Sequence, residues 1–188
     1  MILYLHGFNS SPASHKAQVL KARLSALGRC GDFACPALPP SGRDAIGIAE
    51  AILAKAGGPT CLIGSSLGGF YATYLAERHD LRAVLINPAL DPDVGLRGYL
   101  GTQQNLYTGE RYELKAEHLR EWEALSCGRL TPRRYFLVVE TGDEVLDYRR
   151  AVERYAGARQ LVIVGGDHGL RSFGEQLPRL LEFADGAD

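Results

Sequence analysis

Short, unbroken apolar runs alternate with longer amphipathic stretches along almost the whole chain. That rhythm constrains the fold more than any other feature. Strands that read as continuous apolar runs are buried on both faces, and the stretches between them must be the covering helices. Runs at 2–6 (ILYLH), 30–38, 60–65 (TCLIGS), 82–90, 134–143 and 159–168 are expected strands. Expected helices lie at 11–28, 42–58, 67–79, 147–157 and 170–184, with Pro178 positioned to kink the last. The expectation is an α/β fold: one domain over 1–188, about six mostly parallel strands, and helices on both faces. Residues 88–133 break the rhythm. They show no clear strand and one helix near 114–126, and are expected to form a lid or pocket insertion.

Composition narrows the partners. Lys plus Arg number 21 and Asp plus Glu 22, for a formal net charge of −1, which leaves no electrostatic footprint for nucleic acid. No apolar run approaches the roughly 20 residues of a membrane helix. The N-terminal MILYLHGF lacks the basic region and cleavage site of a signal peptide, so a soluble cytoplasmic protein is expected. Cys30, Cys35, Cys61 and Cys127 form no metal-binding spacing. Cys61 reads as buried filler, and a Cys30–Cys35 disulfide is disfavoured in a reducing compartment. Neither a metal nor an organic cofactor is expected.

In open parallel sheets the reactive loops follow the C-terminal ends of the strands. After the third expected strand stands Gly64-Ser65-Ser66-Leu67-Gly68, a G-x-S-x-G centred on Ser66. Such a serine sits on a sharp strand-to-helix turn, and small residues two before and two after let strand and helix approach. The bland alternative is a glycine-rich turn in which serine caps the helix. After the first strand come His6, Gly7, Phe8 and Asn9. There the amide of Phe8, with that of Leu67, is the candidate oxyanion hole. His6 and Gly7 read as positioning residues, although His6 could also serve as a base.

After the fifth strand Asp143 is the candidate acid, with Glu144 and Asp147 as neighbours; Asp147 reads better as a helix N-cap. Asp91 and Asp93 offer a second acid position. His168, flanked by glycines after the last strand, is the candidate general base. His15, His79 and His118 read as solvated helix residues. The order Ser66, Asp143, His168 matches the serine, acid, histidine order of α/β hydrolases. Leu100, Leu106, Tyr107 and Trp122 are candidate pocket contacts, with packing of a satellite core as the equal alternative.

Together YLHGFNSSP, GSSLGGFYATYLAE, INPA, YTGE, TGDEVLDY and GGDH resemble the small bacterial YqiA-type esterases of the α/β-hydrolase superfamily. The resemblance runs from near residue 3 to near residue 175. It implies a minimal version of that fold, with Ser66 as nucleophile, Asp143 as acid, His168 as base and the His6–Phe8 loop at the oxyanion. The expected function is hydrolysis of a small-molecule carboxylic ester or acyl thioester through an acyl-enzyme. An acyltransferase using the same intermediate, or a non-catalytic binding protein on the same fold, are the alternatives.

Overall fold

In the computed structural model, which describes residues 1–186, six parallel strands form the central sheet. They are β1 (Ile2–Leu5), β2 (Phe33–Ala34), β3 (Cys61–Ser65), β4 (Arg82–Ile86), β7 (Tyr135–Glu140) and β8 (Arg159–Ile163). Their spatial order is β2-β1-β3-β4-β7-β8. A separate antiparallel hairpin, β5 (Gly101–Gln104) and β6 (Arg111–Leu114), stands outside it. The helices are α1 (His15–Ala26), α2 (Gly42–Leu53), α3 (Leu67–His79), α4 (Pro92–Gly95), α5 (Ala116–Ala124), α6 (Tyr148–Arg154) and α7 (Phe173–Ala184).

The unbroken apolar runs are explained by the two cores. Side chains alternate across a strand, and here both faces meet helices. Leu3, Leu5, Leu62, Leu85, Leu137 and Val139 pack with α2, α3, α5 and α6 on one face. Ile2, Tyr4, Ile63, Val84, Phe136 and Val138 pack with α1 and α7 on the other. Neither face can accept a polar residue without desolvating it. The C-terminal ends of β1, β3, β4, β7 and β8 lie at one edge, where their loops converge.

Several expected bounds change, and β4, β7 and β8 end short of their expected limits, at Ile86, Glu140 and Ile163. The second strand shrinks from 30–38 to two residues, because Cys30–Asp32 form a 3-10 turn and Pro36, Pro39 and Pro40 cannot donate to a ladder. The helix expected from 11 begins at His15, and the one expected to 58 ends at Leu53. The stretch 88–133 contains strands after all. The hairpin pairs Gln103 with Tyr112 and Gly101 with Leu114. Its sequence is too polar to announce itself, since only alternate residues turn inward.

All four cysteines are free, and burial pushes the Cys61 thiol up to about 12. Among the described residues no helix is long and apolar enough to cross a membrane.

Candidate active site

Ser66 occupies the turn between β3 and α3 with φ 55° and ψ −121°. A non-glycine residue is strained there, and the surrounding packing must hold it. The glycines show how close that packing is. A Cβ on Gly64 would overlap the Gly68 carbonyl, and one on Gly68 would overlap that of Leu5. At Gly69 it would come within 2.7 Å of the Pro88 ring. Strand and helix therefore meet backbone to backbone, and the serine is lifted to the edge of the sheet.

Ser66 Oγ lies 3.0 Å from His168 Nε2, across 102 residues of sequence. His168 Nδ1 lies 3.0 and 2.9 Å from the two carboxylate oxygens of Asp143. A carboxylate only accepts, so Nδ1 carries the proton and the Nε2 lone pair faces the serine hydroxyl. The Asp143 side chain is 1% exposed and that of His168 23%. Burial pushes the Asp143 carboxyl up. The hydrogen bond from His168 and the amides of Leu146 and Val145 outweigh it, holding the carboxyl below its ordinary range. It is thus an anion beside the imidazole at neutral pH.

The other acids take different work. Glu144 accepts from the backbone N–H of His168 (3.0 Å). Asp147 caps α6 by accepting from Arg149 N–H. Asp91 pairs with Arg150, and Asp93 lies in the first turn of α4.

The loop after β1 folds against the turn. A Cβ on Gly7 would sit 3.2 Å from Ser66 Cβ, tighter than an ordinary contact. The buried His6 ring accepts from the Leu38 N–H at Nε2 (3.1 Å), so Nδ1 donates to the Gly7 carbonyl (3.0 Å). Burial lowers its pKa, opposed in part by the Gly7 bond. Both ring nitrogens are engaged away from Ser66, which leaves His6 to brace the loop. The Phe8 amide donates to no backbone carbonyl among the described residues. The Leu67 amide, first in α3, has no acceptor within its helix.

An open cleft of about 540 Å³ runs past Ser66 and His168. Tyr4, Phe8, Leu106, Tyr107 and Lys16 are among its walls. Leu106 is 81% exposed at the hairpin tip. Leu100 does not line this cleft, and Trp122 is a correction: it is fully buried beneath α2 and α3, donating to the Tyr71 hydroxyl (2.7 Å). The largest side chain of the insertion went to the core, where its area stabilises most. His15 is exposed, and His79 pairs with Glu50. His118 is half-buried rather than solvated, and accepts from Lys115 N–H at the start of α5.

Two residues at the site escaped the sequence reading. Asn87, buried after β4 with φ 39°, donates through Nδ2 to the carbonyls of Asp167 (3.2 Å) and His168 (3.1 Å). Its Oδ1 accepts from Glu140 N–H (3.1 Å). Glu140, at the end of β7 and 1% exposed, accepts from the amides of Asp167, Arg171 and Ser172 and from the Ser172 hydroxyl. Burial pushes its carboxyl up, but these four donors hold it below its ordinary range. The pair grips the loop that carries His168. A carboxylate closing an apolar run was the available signal at Glu140; Asn87 lay in the INPA stretch without a role.

Solved structures with this architecture include α/β hydrolases. Mouse alpha/beta hydrolase domain-containing protein 10 superposes with TM-score 0.77 at 19% identity, covering 100% of this chain and 90% of its own. Est1E from Butyrivibrio proteoclasticus gives 0.70 at 16% identity, over 97% and 85%. A monoacylglycerol lipase from Paleococcus ferrophilus gives 0.64 at 18% identity, over 96% and 91%. At these identities the likeness is one of fold. The sequence itself places the chain more closely: residues 1–185 match the model of the uncharacterised protein family UPF0227, the YqiA-like group, and the chain belongs to that family.

Proposed function

We propose that the protein is a serine hydrolase that cleaves carboxylic esters or acyl thioesters through an acyl-enzyme on Ser66. The observation that carries this is the relay at one cleft: Ser66 Oγ on His168 Nε2, with buried Asp143 on the other ring nitrogen. A binding module has no use for a strained serine aligned with a base whose tautomer is set by a buried anion.

In this reading His168 takes the Ser66 proton as Oγ attacks the substrate carbonyl. The amides of Phe8 and Leu67 hold the developing oxyanion, each worth ~3 kcal/mol of barrier. Asp143 stabilises the imidazolium without taking its proton. His168 then protonates the departing alcohol or thiol, and the acyl-enzyme forms. Water, activated by the same histidine, releases the acid. The partial exposure of His168 in an open cleft gives water access to the acyl-enzyme. The lipase named among the proteins of like fold agrees with ester chemistry.

The test is a chain-length panel of p-nitrophenyl esters and acyl thioesters on wild type and Ser66→Ala, with fluorophosphonate labelling. Turnover and labelling in the wild type that vanish together in the variant are expected. Equal turnover by Ser66→Ala overturns the mechanism.

A further inference from the structure

The β5–β6 hairpin is bonded to the loop that carries Phe8. The Tyr112 hydroxyl donates to Asn9 Oδ1 (2.6 Å), and Asn9 Nδ2 donates to Gln103 Oε1 (3.3 Å). The Leu106 N–H donates to the Asn9 carbonyl (3.0 Å). Asn105 Nδ2 donates to the Ser10 carbonyl (2.8 Å). Just ahead of the hairpin, the Tyr99 ring meets the Phe8 ring edge-on, with centroids 6.0 Å apart.

These bonds fall where the loop needs them. Asn9 has φ 51°, a left-handed conformation that asparagine tolerates but does not choose strongly. The carbonyl and both side-chain polar atoms of Asn9 are held by the hairpin. Burial pushes the Tyr112 phenol up to about 12, which keeps it a donor across the working range.

The dependence is mutual. Among the described residues β5 and β6 pair only with each other, and a lone two-stranded hairpin is marginal in water. Asn105 builds its turn, with Oδ1 accepting from Tyr107 N–H (2.9 Å) and Thr108 N–H (3.0 Å), and spends its Nδ2 on Ser10. The same residue thus shapes the tip and fastens it to the loop.

We infer that the hairpin is a positioning device for the oxyanion hole, in which Tyr112 and Asn105 act through Asn9 and Ser10 to hold the Phe8 amide at its working position. The inference rests on the acyl-transfer reading of Ser66. It assigns the insertion a part in rate as well as in substrate contact. Leu106 and Tyr107 wall the cleft on the same hairpin, so an acyl chain lying against them loads the element that aims the amide.

The experiment measures kcat and KM on a short p-nitrophenyl ester, and affinity for an aryl trifluoromethyl ketone, whose adduct with serine places an oxyanion in the hole. Wild type, Tyr112→Phe, Asn105→Ala and Ser66→Ala are compared, with Arg111→Ala, exposed on the same hairpin, as control. For Tyr112→Phe, kcat is expected to fall about tenfold with KM changed less than about twofold, and ketone affinity to fall in parallel. The pH profile should not move, because the His168–Asp143 pair is untouched. Asn105→Ala should do the same or more, and Arg111→Ala should match wild type. Wild-type kcat in folded Tyr112→Phe and Asn105→Ala overturns the inference, as does a loss confined to KM. If those variants are normal while Ser66→Ala is inactive, only the hairpin's role fails. If Ser66→Ala is as active as wild type, the acyl-enzyme reading fails with it.

Discussion

The Asn87 carboxamide donates to the backbone carbonyl of His168 at 3.1 Å, and so ties the candidate base to the end of a different strand from its own. The same nitrogen also serves Asp167. Asn87→Asp keeps the shape but turns an oxygen toward two carbonyl oxygens. Loss of the bonds and the new repulsion should cost about 2 kcal/mol of stability. A chemical denaturation midpoint and kcat should fall together, because the loop that loosens is the one bearing His168.

Glu140 makes the grip on that loop pH-dependent. Its folded pKa is depressed, so its contribution to stability is complete above the unfolded carboxyl value of about 4.3 and is lost as pH falls through the folded value. Glu140→Gln should be less stable than wild type at neutral pH. Its stability should also fall less steeply below about pH 4. Thermal melts from pH 3 to 7 would show two curves converging toward acid; parallel curves would contradict the assignment.

Ser66 is held in a conformation that glycine adopts freely. Ser66→Gly should therefore be more stable than wild type, by about 1 kcal/mol, while losing all ester turnover. A variant both inactive and destabilised would mean that the turn stores no strain.

Gly68 cannot carry a side chain, because a Cβ would overlap the Leu5 carbonyl. Gly68→Ala should cost about 3 kcal/mol or more, since the obstacle is backbone and cannot swing aside. Soluble yield and melting temperature are the readouts. At Gly47, with nothing within 4 Å of a Cβ and inside α2, alanine should instead be neutral or stabilising.

Trp122 now belongs to the core. Trp122→Phe leaves the buried Tyr71 hydroxyl without its donor and opens a small void, so about 1–3 kcal/mol of stability should be lost. Chain-length preference across an ester panel should stay that of wild type. A shifted preference would return this residue to the pocket wall.

Much of the molecule is legible in one dimension. Burial on two faces forces continuous apolar runs, so the central strands and the helices between them could be read directly. The G-x-S-x-G turn is legible because its glycines answer to backbone contacts a few residues away. Asp143 and His168 could be named because each directly follows an apolar run, in an order that a known fold reuses. By itself, then, the sequence marked the central strands, the sharp turn and the three polar residues that the fold brings together. Tertiary structure alone decided what surrounds them. Asn87 and Glu140 grip the His168 loop through main-chain partners that carry no residue identity. The hairpin hides because its residues are polar and its partner is a loop some 100 positions earlier. Trp122 turned inward because an aromatic in an insertion has two places to bury its area, and only the packing of α2, α3 and α5 settles which is open.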